Sequence, residues 1–170
     1  MELSNLTKKI LELFNISTVT ELGTAIMKNL SCEKKLEGFC DIVNGDLTVD
    51  WMQKIYQYHK ADRKEKKQDY TPLSIAKLMC RLVGRANKVV DMCAGTGALT
   101  IQYWNDKPDT EFILYEIDKT VIPYLLFNLV VRNIKAIVIV MDILKDEVYE
   151  QWEIQKGENF GKCIDIKSAI

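Results

Sequence analysis

Between Lys88 and Asp142 the sequence alternates three short apolar runs, KVVDM, EFILYE and AIVIVMD, with two longer stretches at helical spacing, GALTIQYWN and KTVIPYLLFNLVVRN. The runs are rich in β-branched and aromatic residues and too short for helices, whereas the intervening stretches are long enough to cross over a sheet. This order, β-α-β-α-β, predicts parallel strands joined by right-handed connections, half of a doubly wound α/β sheet. A chain of 170 residues is about one domain's worth and can bury a single core.

Upstream of the alternation the apolar residues recur with a helical period. Leu3, Leu6, Ile10 and Leu13 line one face, and Val19, Leu22, Ile26 and Leu30 line another. The segment Asn44–Asp46 reads as a turn, and Asp50 is placed to cap a helix carrying Trp51, Ile55 and Tyr58. The run KADRKEKK that follows mixes Lys60, Arg63, Lys64, Lys66 and Lys67 with Asp62 and Glu65, which reads as a solvated linker. The only histidine, His59, sits at its edge with no second ligand or triad partner nearby, so a solvated helix end is expected rather than a base. The chain therefore divides into an N-terminal helical region and linker, residues 1–67, and a Rossmann-like unit, residues 68–170, that is an incomplete sheet. Thr71 and Pro72 are expected at the N-cap and first position of the helix that opens the second unit, and Gly84 at its end.

Charge and cysteine content narrow the setting. A net charge of −1 leaves no general electrostatic footprint for nucleic acid. Five widely spaced cysteines, with no C-x-x-C pair, read as free thiols in a reducing compartment. The amino terminus has charges within its apolar stretch and no small-residue cleavage site, and no apolar run is long enough to cross a bilayer. A cytoplasmic location, without membrane contact, is the expectation.

The chemistry concentrates where the first run turns into its helix. Asp91 ends the strand and Gly95 and Gly97 form the turn, letting backbone approach a ligand that a side chain would block. Glu116 ends the second strand about twenty residues beyond the turn, where a carboxylate can hold two ribose hydroxyls. A nicotinamide or flavin fingerprint would place a third glycine where Thr100 stands, and no Gly-Lys-Ser/Thr follows to make a P-loop.

These residues resemble a known family. DMCAGTGAL is similar to the first motif of class I S-adenosylmethionine-dependent methyltransferases, in the form found in adenine-specific DNA methylases. QDYTP resembles the segment that opens the preceding helix in the methylation subunits of type I restriction-modification systems. LYEID, FNLVVRN and VMDIL resemble the next segments in order, so the likeness runs from Gln68 to Leu144. It implies S-adenosylmethionine as cofactor. Tyr70 and Thr71 would face the methionine end, and Asp91 its amino group. The backbone around Cys93, Ala94, Gly95 and Gly97 would lie beneath it. Glu116 would take the ribose hydroxyls, Ile117 would pack on the adenine, and Asp142 would accept from the adenine's exocyclic amine. Cys93 is a small loop residue in this setting, with no base nearby to make it a nucleophile.

The same family carries an Asn/Asp-Pro-Pro-aromatic segment whose oxygens accept the protons of the target amine and whose ring stacks on the flipped base. The only prolines here are Pro72, Pro108 and Pro123, so this segment is absent and no catalytic residue is assigned. After Leu144 a charged stretch leads to KCIDIKSAI, which alternates like a half-buried edge strand. Two arrangements fit: a piece of a longer methylase, or a natural half-domain capped by its last strand. The implied function is that of a DNA adenine-N6 methyltransferase-family protein, inactive alone. The alternative is a non-catalytic module that completes or modulates a restriction-modification partner. DNA would be reached through a partner subunit or a missing segment, and the company expected is a second copy or a restriction-modification protein. The first strand would be left with an open edge, to be covered by the C-terminal strand, a second copy or the N-terminal helices.

Overall fold

The computed structural model describes residues 2–60 and 70–166. The charged run after Lys60, the Gln68 and Asp69 of QDYTP, and the last residues of KCIDIKSAI lie outside them. Four helices come first: α1 (Leu3–Phe14), α2 (Leu22–Asn29, after a short 3-10 turn), α3 (Glu33–Ile42) and α4 (Trp51–His59). Then follow α5 (Leu73–Val83), β1 (Lys88–Asp91), α6 (Ala98–Asp106), β2 (Glu111–Glu116), α7 (Ile122–Val131) and β3 (Ala136–Asp142). Two more strands end the described chain, β4 (Glu147–Gln155) and β5 (Lys162–Asp165). Among the described residues no single helix is long and apolar enough to cross a membrane.

The α/β expectation holds. The sheet runs β1-β2-β3-β4-β5, with the first three strands parallel and the last two added antiparallel beyond β3. β4 is unanticipated. Its residues are exposed or half-buried, with only Ile154 fully buried, so the segment reads in sequence as a charged tail.

Burial in the sheet is one-sided. Phe112, Leu114, Ala136, Val138 and Val140 share a face and are fully covered, whereas Ile113, Ile137 and Ile139 on the opposite face are only partly buried. α6 belongs to the covered side, where Tyr103 meets Phe112 edge-on with ring centroids 6.0 Å apart. α7 belongs there too and is wrapped on every side, with Tyr124, Leu125, Leu126, Phe127 and Leu129 inaccessible to solvent. That explains its apolar sequence: α2 and α4 stack on its outer side, so it has no polar face to show. Phe127 takes the edges of Phe14 and Phe39, which joins the N-terminal helices and the sheet in one core.

Asp50 caps α4, which carries Trp51, Ile55 and Tyr58 as expected; the helix buries Trp51, Met52, Ile55 and Tyr56, while Tyr58, outside the i, i+1, i+4, i+5 stripe, faces solvent. One local expectation is corrected. α5 starts one residue later than expected, at Leu73; Pro72 takes the N-cap with an extended ψ of 146° and its carbonyl receives the Ala76 N–H. Gly84 ends α5 with φ 71°, as anticipated. The open-edge question is answered in part. β5 joins the far side of the sheet, so the C-terminal strand does not cover β1, and the N-terminal helices pack on α7 and on each other.

Candidate functional site

The C-terminal ends of β1, β2 and β3 lie side by side, and the loop from Met92 to Gly97 runs over them. Gly95 and Gly97 have φ values of 56° and 94°, which a side chain disfavours. A Cβ at Gly97 would stand 3.0 Å from Leu125 Cδ1, so close packing of the turn on α7 also requires glycine there. Ala94, buried, donates its N–H to Tyr115 C=O at 2.9 Å, and Gly97 N–H closes the turn onto Ala94 C=O at 2.8 Å.

Glu116 ties this loop to the end of β2. Its Oε2 accepts the Gly95 N–H at 2.8 Å, and its Oε1 accepts those of Ile117 and Asp118, each at 2.8 Å. Tyr70 lies above: its ring is 3.9 Å from where a Gly95 Cβ would stand, and it meets Tyr56 edge-on. Burial and the nearby Tyr56 and Glu116 raise the Tyr70 phenol well above its ordinary value, so it remains an O–H. Cys93 is exposed, and partial burial with the charges of Glu116 and Asp91 pushes its thiol up, away from the thiolate a nucleophile needs.

Asp91 is the anomaly. Its Oδ1 accepts the Cys93 N–H at 3.2 Å, but its Oδ2 is buried with no hydrogen-bond partner among the described residues. Desolvation holds its carboxyl above the usual range, with the Cys93 bond only partly opposing. A buried carboxylate oxygen left open beside a glycine turn suits a cationic ligand group.

The other expected residues stand at the margins. Ile117 is largely exposed at the rim. Asp142 lies at the same end of the sheet, past the Glu116↔Val140 pair, and spends its Oδ1 on the N–H groups of Leu144 and Lys145. Thr71 lines a small cavity of about 180 Å³ with Asp50, Gln53, Ala98 and Gln102, behind the turn.

Sequence reasoning missed what holds the turn from behind. Thr96, buried, donates through Oγ1 to Asp50 Oδ2 at 2.6 Å. Asn128 Nδ2 donates both to Asp50 Oδ1 at 2.8 Å and to the Thr96 carbonyl at 2.9 Å. Arg132 Nη1 donates to Asn128 Oδ1 at 2.9 Å, while its Nε and Nη2 reach the Leu47 and Val49 carbonyls, each at 2.8 Å. Asp50 also caps α4, receiving the Gln53 N–H at 2.8 Å. Burial raises the Asp50 carboxyl and lowers the Arg132 guanidinium to about 10. Asn128 and Arg132, one turn apart in an otherwise apolar helix, were the available signal.

A family model described as N-6 DNA Methylase matches residues 48–162. The chain belongs to the N-6 DNA methylase family. The match takes in the glycine turn, Glu116 and Asp142, and begins just before Asp50, so the Asp50, Thr96, Asn128 and Arg132 side chains of the buried network also lie inside the methylase segment. Comparison with curated proteins and with solved structures finds no match.

Proposed function

We propose that the turn between β1 and α6 binds S-adenosylmethionine, and that this N-6 DNA methylase acts as the cofactor-holding part of an adenine-N6 methyltransferase. The observation that carries the reading is Asp91 Oδ2, a buried acceptor with no partner among the described residues. Asp91 would receive the methionine ammonium. The spare lone pair on Glu116 Oε2, which among the described residues accepts only the Gly95 N–H, would take a ribose hydroxyl. Tyr70, held over Gly95, would close the pocket from above, Ile117 would pack against the adenine, and Asp142 would face its exocyclic amine. When bound, the cofactor supplies a methyl group on a sulfonium, an electrophile needing no metal. This chain's residues orient it, but with no Pro-Pro pair in the sequence the acceptor for the amine's protons would come from elsewhere.

Titration calorimetry with S-adenosylmethionine and S-adenosylhomocysteine tests the reading. Binding is expected, weakened at least tenfold in Asp91→Asn and weakening as pH falls through the raised Asp91 value, because the cation needs the ionised carboxylate. Absence of binding by the intact chain overturns the proposal. A tritiated-methyl assay on adenine-containing DNA is expected to show little or no transfer by this chain alone.

A further inference from the structure

We infer that α4 is a working part of the cofactor site: Asp50 at its N-cap and Tyr56 in its second turn are positioning residues that fix the two loops on which the ligand would sit. The inference rests on the cofactor reading above. Asp50 and Tyr56 belong to the N-terminal helices, ahead of the whole strand-helix alternation, and are 6 % and 1 % exposed, so they can act only through other groups. The first of these is Thr96, between Gly95 and Gly97, whose side chain is buried in the core. Asp50 Oδ2 accepts its hydroxyl at 2.6 Å and Asn128 Nδ2 donates to its carbonyl at 2.9 Å, so side chain and backbone are both held. Glycines on either side, both at positive φ, leave the turn little conformational preference of its own. The two bonds restrain what the glycines leave free, and they set where the Gly95 N–H meets Glu116.

The same helix reaches the loop between β2 and α7. Thr120 donates its N–H and its hydroxyl to Asp118 Oδ1 at 2.9 and 2.7 Å, and the Tyr56 hydroxyl lies 2.7 Å from Thr120 Oγ1. With the Thr120 proton committed to Asp118, Tyr56 is the donor in that pair. Asp118 in turn donates its N–H to Glu116 Oε1 at 2.8 Å, so the bonds lead from α4 to the carboxylate that would hold the ribose. Tyr56 also meets the Tyr70 ring edge-on at 6.3 Å and the Tyr124 ring at 5.0 Å. It thereby steadies the ring that lies over Gly95 as well.

One helix therefore sets the glycine turn, Glu116 and Tyr70 relative to one another. Loops ordered before the ligand arrives spare binding the cost of ordering them. The coupling is reciprocal: a ligand that binds only the ordered loops stabilises the seating of α4 by the same factor that α4 lends to the ligand. Occupancy of the turn and docking of the N-terminal helices on α7 then reinforce each other, which a helical region serving only as a cover for α7 would not do.

The full chain is titrated with S-adenosylmethionine by calorimetry as the parent, Thr96→Val, Thr96→Ser, Tyr56→Phe and Phe14→Leu, each with its melting temperature. Thr96→Val keeps the shape and loses the hydroxyl, and is expected to weaken binding roughly tenfold. Thr96→Ser regains the hydroxyl and should bind within about threefold of the parent, while Tyr56→Phe should lose about fivefold. Phe14→Leu trims a contact with Phe127 that involves neither loop, so it should lower the melting temperature and leave the affinity within about twofold. Amide exchange supplies the reciprocal readout: the Gln53 N–H, bonded to Asp50 Oδ1, should slow when the cofactor is added to the parent and stay unchanged in Thr96→Val. Parent-like affinity in both Thr96→Val and Tyr56→Phe overturns the inference and leaves the cofactor reading standing. So does affinity that follows melting temperature across the whole set, Phe14→Leu included. No binding by the parent overturns both.

Discussion

The two sides of the glycine turn are built to opposite standards. Behind it, around α7, apolar side chains are sealed from water and every polar group of Asp50, Thr96, Asn128 and Arg132 described above is matched. In front, toward β1 and α5, a carboxylate oxygen is buried without a partner among the described residues and large apolar side chains face solvent. The contrast separates a scaffold whose polar groups are already matched from a surface that, on the reading proposed above, gains its partners only when the cofactor binds. The sheet's two edges do not share this contrast: β1 and β5 are both four residues long, both run from a lysine to an aspartate, and each leaves one large apolar side chain exposed, Val90 and Ile164.

The widest difference between the sides should appear on truncating apolar groups. Phe127→Ala opens a void beneath Phe14 and Phe39 and is expected to cost about 3–5 kcal/mol. Leu82→Ser on exposed α5 should stay within about 0.5 kcal/mol. Urea unfolding of both variants checks the pair, and comparable losses would erase the distinction. Next in size is Asn128→Ala, which strips a donor from Asp50 and an acceptor from Arg132 and should cost about 2–3 kcal/mol. It should also weaken S-adenosylmethionine binding, because the Thr96 carbonyl loses its anchor; stability loss with unchanged affinity would confine the network to the scaffold.

The next effect has the opposite sign. Asp91→Asn removes a poorly solvated charge and should stabilise the ligand-free chain by about 1 kcal/mol at neutral pH. The folded carboxyl is raised, so its favourable contribution is complete below the unfolded value of about 3.9 and is lost as pH rises through the folded value. The variant's advantage should therefore vanish below about pH 4 and grow above it. Thermal melts across that range read the trend, and a variant less stable than the parent at pH 7 would mean that Asp91 has a structural partner.

How much was legible follows the range of each cause. The strand-helix alternation was readable because it depends on local period. Asp91, the glycines and Glu116 were readable because strand ends place them. β4 was obscured because Glu150 interrupts the apolar alternation of Val148, Trp152 and Ile154, and the answering charge, Lys119 at 3.0 Å, comes from the loop before α7. Asp50 was recognised as a cap, but its second role depends on Thr96 and Asn128, which no local pattern connects to it. The N-cap of α5 slipped by a residue because Pro72 can serve at either position with the same φ.

The link from Asp50 also bears on the order in which the molecule assembles. The carboxylate meets Thr96 across 46 residues of chain and Asn128 across 78, so the turn can be fixed only after these long loops close. Helices form in microseconds from neighbouring residues, whereas such closures are slow. In refolding from urea, ellipticity should recover first and affinity for the cofactor measurably later.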